Sequence, residues 1–351
     1  MVRRSLVALA AVLALGAAGC ANKVAGGGSA DTGNGGAKTT VKIMVGGLNK
    51  QIYLPAMLAQ RLGFYSEQGL DVQLSDEPAG VNAETDMIAG QIDAVVGFYD
   101  HNIDLQGKGK ATEAVAQLLQ VPGEVELCRS DVADQIKSPA DWKGRSLGVT
   151  DIGSSTDFLT KYLAVRNGVS VDQIHESGVQ AGNTFIAAMQ HKNIDCGMTT
   201  EPTVSALVNT GQAKVLLDMR TADGARAALG GVYPASSLYM STDYVSKHSD
   251  NVQKLVNAFV QSMHFISSHT PAEIADKMPA DYYKGVGKDA YIAALQSEKG
   301  IYTADGLMPA DGPQTVLNVL SAFNTDVKGH NIDLAKTYTN DFATKANQTV
   351  K

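Results

Sequence analysis

Three hydroxyl side chains stand in a row after a glycine, at Ser154, Ser155 and Thr156. They follow a predicted strand over 146–149 and open a predicted helix. The free N–H groups and the positive dipole at a helix start favour an anion, and hydroxyl groups add further donors. This segment therefore predicts contact with an anionic ligand, with simple N-capping of the helix as the alternative.

Other loops after predicted strands carry further candidate ligand contacts. Asn82 belongs to a weaker equivalent of the hydroxyl segment, Gly80-Val81-Asn82. Lys50 lies between the first predicted strand and helix and is placed to supply a counter-charge, although most lysines are simply solvated. His101 ends a predicted strand, where a capping or structural histidine is the alternative.

Aromatic side chains near these loops could stack on a flat ligand. The candidates are Tyr53, Tyr99 and Phe185, for which core packing is the alternative. Thr184 and Glu201 lie in two further loops after predicted strands and complete the predicted binding site.

Catalytic and metal-binding patterns are missing from the sequence. The seven histidines are scattered, and neither HExxH nor cysteine–histidine pairs at ligand spacing occur. Neither a G-x-S-x-G elbow nor a P-loop occurs. We therefore expect no catalytic residues, no metal and no cofactor.

The elements that carry these loops alternate between strand and helix. Apolar runs predict strands over residues 41–45, 70–74, 92–96, 146–149 and 194–198. Helical patterns begin at 54, 82, 158, near 185 and at 252, and Gly63, Gly90 and Gly168 are helix stops. Such alternation is typical of an α/β fold with parallel strands covered by helices. The order recurs about 100 residues later, which favours two copies of one lobe over a chance echo.

The N-terminus resembles a lipoprotein export signal. Arg3 and Arg4 precede a small, apolar stretch that ends at Cys20. We expect a signal peptide over 1–20 with lipidation at Cys20; an ordinary signal peptide is the alternative. Residues 21–40 are rich in Gly, Ser, Thr and Asn and are predicted to be a flexible tether.

Composition narrows the class of protein. The 351 residues are 44% hydrophobic and carry a formal net charge of −7, which argues against a nucleic-acid partner. Besides Cys20 there are two cysteines, Cys128 and Cys196, too few for a disulfide framework. We expect two buried, reduced thiols, with a disulfide as the alternative in an oxidising compartment.

Several segments in order resemble one protein family. They are Gly63-Phe64-Tyr65, Gly69-Leu70-Asp71-Val72, Gly90-Gln91-Ile92-Asp93-Ala94, Asp141 to Val149, Gly153-Ser154-Ser155, and Ile194 to Pro202. Together they resemble the nitrate/sulfonate/taurine and thiamine-pyrimidine solute-binding family. That resemblance implies the type II periplasmic binding fold, an α/β fold of two lobes with a central ligand cleft. We expect lobe 1 over 41–121 plus about 240–351, and lobe 2 over 122–239.

The resemblance also implies a function. Together with the N-terminal signal and the missing catalytic patterns, it predicts a monomeric lipoprotein on the outer face of the bacterial cytoplasmic membrane, periplasmic or extracellular, without enzymatic activity. This protein would capture a small anionic or flat heteroaromatic solute for an ABC importer, whose permease and ATPase subunits are its partners.

Two alternatives to this function share the fold or the ligand. One is an enzyme, although the pyrimidine synthases carry a cysteine-rich iron motif without a counterpart here, and the chorismate-type dehydratases are cytoplasmic. The other is a ligand sensor for a membrane receptor.

Overall fold

The computed structural model describes residues 38–350. Cys20, the predicted signal peptide and most of the predicted tether lie outside these residues. Ten strands are present in this part: β1 (Thr39–Val45), β2 (Leu70–Asp76), β3 (Ala94–Phe98), β4 (Thr112–Gln117), β5 (Val125–Arg129), β6 (Ser146–Val149), β7 (His175–Gly178), β8 (Cys196–Thr199), β9 (Ala213–Asp218) and β10 (Ser236–Ser241).

Helices occupy most of the connections between these strands. They are α1 (Leu54–Leu62), α2 (Phe64–Glu67), α3 (Gly80–Ile88), α4 (Asp100–Gly107), α5 (Ser155–Arg166), α6 (Asn183–Gln190), α7 (Thr203–Asn209), α8 (Ala222–Leu229), α9 (Thr242–Lys247), α10 (Ser249–Ser268), α11 (Pro271–Ala275), α12 (Lys288–Glu298), α13 (Gly312–Ser321) and α14 (Asp341–Thr349). Short 3-10 turns cover Gln51–Tyr53, Pro139–Trp142, Val171–Gln173, Ala280–Tyr282, Lys299–Ile301 and Leu334–Lys336.

The strands form two sheets with the same topology. The first has the order β2-β1-β3-β10-β4 and the second β7-β6-β8-β5-β9. In each sheet the first three strands are parallel, and the fourth runs antiparallel to its neighbours. We call the residues around the first sheet the first lobe and those around the second sheet the second lobe. The predicted α/β fold with two similar lobes is confirmed.

Local sequence signals explain the ends of many elements. Pro55 lies in the first turn of α1, where its missing N–H costs nothing, and Gly63 ends that helix with φ 82°. Helix α10, predicted from the helical pattern at 252, buries an apolar stripe that includes Val252, Phe259 and Met263. Strand β1 begins at Thr39, inside the predicted tether.

The chain crosses between the lobes twice, after β4 and after β9. The two crossing segments are hydrogen-bonded to each other, because Gly123 N donates to Met219 O and Met219 N donates to Glu124 O. Gly123 has φ +67°, and a Cβ at this position would lie 2.7 Å from a methyl carbon of Ile52. A glycine is therefore required where the first crossing enters the second lobe.

The expectation of two reduced thiols is wrong, because Cys128 and Cys196 form a disulfide. Strands β5 and β8 are antiparallel neighbours, and their register places the two cysteines directly opposite, with Cα atoms 3.9 Å apart. Both residues are buried, as predicted. Sequence spacing alone did not reveal this register, since 68 residues separate the two positions.

No helix among residues 38–350 is both long enough and apolar enough to cross a membrane.

Candidate functional site

A small polar cavity lies between the two lobes. It is lined by loops that follow the strands of both sheets, as expected for the carboxyl edge of an open α/β sheet. Its lining consists of Gly46, Lys50, Tyr53, Pro78, Gly80, Phe98 and His101 from the first lobe, Glu124 from the first crossing, and Thr150, Ser154, Ser155 and Thr156 from the second lobe. We call this space the central cavity.

A buried carboxylate joins the lobes at this cavity. Asp100, the first residue of α4, accepts a hydrogen bond from the Ser155 hydroxyl of α5 across the cleft, at 2.8 Å. Its other oxygen accepts from the hydroxyl of Tyr233 on the second crossing, at 2.7 Å. Burial raises the pKa of Asp100, while His101 and the two hydroxyl donors oppose that rise. The Asp100–Ser155 bond therefore ties the two lobes together at the site.

His101 is held by a second buried acid. Its Nδ1 lies 3.0 Å from a carboxylate oxygen of Glu84 on α3, and both side chains are nearly inaccessible to solvent. Burial lowers the pKa of His101, because it disfavours the charged imidazolium. The negative charge and hydrogen bond of Glu84, together with the charge of Asp100, have the larger combined effect and raise this pKa to about 9. The other ring nitrogen, Nε2, lies 3.4 Å from Ser155 Oγ. His101 is thus a protonated donor at neutral pH on the wall of the cavity.

Lys50 brings a second positive charge to the first-lobe wall. Its ammonium group donates to the carbonyl of Pro78 at 3.0 Å and lies 5.9 Å from the centre of the Tyr53 ring. Burial lowers the pKa of Lys50, and the negative charge of Glu124 partly offsets that effect.

Glu124 is the principal cavity residue that the sequence analysis missed. Its side chain is 3% exposed and lines the cavity. Burial raises the pKa of Glu124 to about 7, with Lys50 opposing and Asp100 reinforcing the rise. A usable signal was present, because Glu124 is an acidic residue within the apolar crossing LLQVPGEVEL. Asp100 was missed although it precedes the predicted His101.

The hydroxyl segment is largely engaged in protein contacts. Ser154 Oγ donates to Asp151 O at 2.6 Å and lies 2.8 Å from Thr156 Oγ1. Thr156 Oγ1 accepts from Thr150 N at 2.8 Å. The structure therefore brings all three predicted hydroxyls to the cavity wall and gives each a partner within the protein.

Five predicted ligand contacts lie outside the lining of the central cavity: Asn82, Tyr99, Thr184, Phe185 and Glu201. The Asn82 amide donates to Glu77 at 3.3 Å, and the Thr184 hydroxyl donates to Ala181 O at 2.9 Å.

The two aromatic residues and the glutamate among these five are buried in protein contacts. Tyr99 is buried with its hydroxyl against Thr337, and Phe185 belongs to a hydrophobic cluster of the second lobe. Glu201 is buried and pairs with Arg220 at 2.9 Å. Lys50, Tyr53, His101, Ser154, Ser155 and Thr156 are the predicted residues that the structure does bring together.

Residues 38–350 contain no group of three or more His, Cys, Asp or Glu side chains placed to hold a metal ion.

Solved structures similar to this chain share its two-lobed architecture. A protein from Bordetella bronchiseptica RB50 is 32% identical, with a TM-score of 0.85, covering 89% of this chain and 98% of that one. The alkanesulfonate-binding protein SsuA from Xanthomonas axonopodis pv. citri, solved with MOPS bound, is 16% identical with a TM-score of 0.68. That match covers 87% of this chain and 99% of SsuA. The expected periplasmic binding fold is confirmed.

Sequence comparison identifies a matching family model and a similar enzyme. The family model described as NMT1/THI5 like matches residues 51–273. A 4-amino-5-hydroxymethyl-2-methylpyrimidine phosphate synthase of Saccharomyces cerevisiae is 28% identical over 229 residues, or 61% of this chain. This chain spans 63% of the length of the synthase. The chain is therefore similar both to a sulfonate-binding protein and to a thiamine-pyrimidine synthase, the two kinds of protein named in the expected family.

Proposed function

Because this chain belongs to the NMT1/THI5-like family, we propose that it is an extracytoplasmic solute-binding protein of an ABC importer. In this function it captures one small molecule between its lobes and presents the closed complex to the permease and ATPase subunits. The ligand leaves chemically unchanged.

One observation carries this proposal: a polar cavity walled by both lobes and bridged by the Asp100–Ser155 hydrogen bond. A ligand held there contacts both lobes at once, so binding favours the closed arrangement over the open one. Closure also removes water, which strengthens each polar contact to the ligand. A permease can then distinguish loaded from empty protein by the relative position of the lobes.

The size of the cavity bears on how the ligand enters. The cavity volume is about 20 Å³, which is room for roughly one or two waters. A ligand of more than a few atoms therefore binds with the lobes further apart than they are here. Rotation of backbone dihedral angles in the two crossing segments supplies that hinge movement.

The proposed location rests on the N-terminal sequence, which lies outside the described residues. Export and lipidation at Cys20, with 21–40 as the tether, would hold the folded lobes close to a permease on the outer face of the membrane. The Cys128–Cys196 disulfide supports an oxidising compartment.

A ligand screen tests the proposal. Purified protein is heated with sulfonates, nitrate, aromatic acids and thiamine-pyrimidine precursors, and a true ligand must raise the melting temperature because it binds the native state only. Ligand that binds is then incubated with the protein and recovered for mass analysis. Unchanged ligand supports transport, whereas conversion favours an enzyme, the activity named for the yeast relative. A failure of every compound to stabilise the protein would contradict solute binding.

A further inference from the structure

One acidic side chain on the wall of the central cavity has no partner. Glu124 is 3% exposed, its Oε2 is buried without a hydrogen-bond partner, and no ion pair within 4.0 Å reaches its carboxyl group among the described residues. A buried charge or polar group without a partner costs free energy, so its retention calls for an explanation. Other unpartnered buried acids, such as Glu126 and Glu298, do not line this cavity.

The backbone holds Glu124 in place firmly. Its carbonyl oxygen accepts a hydrogen bond from Met219 N at 3.0 Å. The preceding Gly123 has a positive φ and packs so closely against Ile52 that a side chain would not fit there. The residue therefore lies where the two crossing segments meet, which moves least when the lobes rotate. A ligand contact at this position is retained in both open and closed arrangements.

The neighbouring charges leave Glu124 free for a ligand. Glu84 is matched by His101 at 3.0 Å, and Asp100 accepts two hydroxyl hydrogen bonds. Lys50 donates to a backbone carbonyl and makes no ion pair with Glu124 within 4.0 Å. Of these three carboxyl groups, Glu124 is thus the one without a hydrogen-bond or ion-pair partner among the described residues.

We propose that Glu124 is the ligand-specificity residue of the cleft, and that the ligand donates an N–H group, as an amine, guanidine or amino-substituted ring, to its carboxylate. The inference rests on the proposed solute-binding function. It selects the amino-bearing heteroaromatic ligands from the classes that the sequence allowed. Above about pH 7, where Glu124 is ionised, a simple anion such as nitrate or a sulfonate would lie beside its carboxylate, which repels it.

This inference predicts how ligand affinity changes with pH. Lys50 and Asp100 of α4 shift the pKa of Glu124, and Glu124 in turn raises the pKa values of Tyr53, Glu126 of β5 and Glu298 of α12. Since the pKa of Glu124 is about 7, the carboxylate becomes available between about pH 6 and pH 8. Affinity for an N–H donor should rise about tenfold over that range, whereas affinity for an anion should fall.

Calorimetry with four probes tests the inference. Guanidinium and cytosine supply N–H donors, and nitrate and methanesulfonate supply anions without them. Each is titrated into the wild type, Glu124→Gln and Glu126→Gln at about pH 6, 7 and 8. Glu126→Gln is the matched control, because it removes a buried, unpartnered carboxyl two residues away that does not line the cavity.

We expect an N–H donor to bind the wild type, with affinity that rises with pH. Glu124→Gln should weaken that binding about ten- to a hundredfold and remove its pH dependence, while Glu126→Gln changes affinity less than about threefold. Tighter binding of an anion, or equal affinity in Glu124→Gln, overturns the inference and leaves solute binding intact. Binding of none of the four probes also overturns it, and the broader screen then decides solute binding separately.

Discussion

Replacing Glu124 with Gln should stabilise the ligand-free protein, and the gain should depend on pH. In the folded protein burial raises the pKa of Glu124 from about 4.5 to about 7. Below about pH 4.5 the group is protonated in both the folded and the unfolded state and has no effect. Between about pH 4.5 and pH 7 the unfolded chain is ionised while the folded chain is still largely protonated, so the stability present at low pH is lost over that range. Gln has nearly the same shape and never ionises.

The magnitude follows from this difference in pKa. At about 1.4 kcal/mol per pH unit, a rise from 4.5 to about 7 corresponds to about 3 kcal/mol at pH 8.5. At pH 5 the same group accounts for less than about 1 kcal/mol. Lys50 lies near Glu124 and loses a favourable charge in the variant, which reduces the gain somewhat. The melting temperature should therefore rise by about 5 °C at pH 8.5 and by about 1–2 °C at pH 5.

Differential scanning calorimetry of the wild type and Glu124→Gln at both pH values measures this effect. Glu67→Gln is a control for the loss of one negative charge, because Glu67 is exposed on α2, and its melting temperature should follow that of the wild type. A Glu124→Gln variant that is less stable than the wild type at pH 8.5 would refute the reasoning, since it would mean that the carboxylate has a favourable partner.

Three further changes test the disulfide, the bridge between the lobes and the anchor. Replacing Cys128 and Cys196 together by Ser should lower the free energy of unfolding by about 2–4 kcal/mol, because 68 residues separate the linked positions; chemical denaturation measures this loss, and unchanged stability contradicts it. Ser155→Ala removes the donor to Asp100 across the cleft and should weaken ligand binding about tenfold by calorimetry. Lowered stability with unchanged affinity would assign Ser155 to the helix start alone. Cys20→Ala should move the protein from the membrane fraction to the soluble fraction or leave it uncleaved, and equal membrane association of both forms would exclude the anchor.

Much of the fold could be predicted because short stretches of sequence determine where strands and helices begin and end. The apolar run before Gly46 predicted β1, and Gly63 marked the end of α1. Strand β6 has the predicted bounds, whereas β3 and β8 each begin two residues later than predicted. These features depend on periodicity and on the backbone freedom of glycine, both of which act over a few residues.

The sequence by itself determined the α/β class, the recurrence of one lobe pattern and the loops in which to seek a ligand. It identified Ser155 as a candidate but not its partner Asp100, which lies 55 residues away. Only the tertiary structure decided that Glu124 lacks a partner and that Cys128 faces Cys196. The physical reason is that charge balance and strand register depend on groups distant in the chain, and those groups meet only when the lobes have folded.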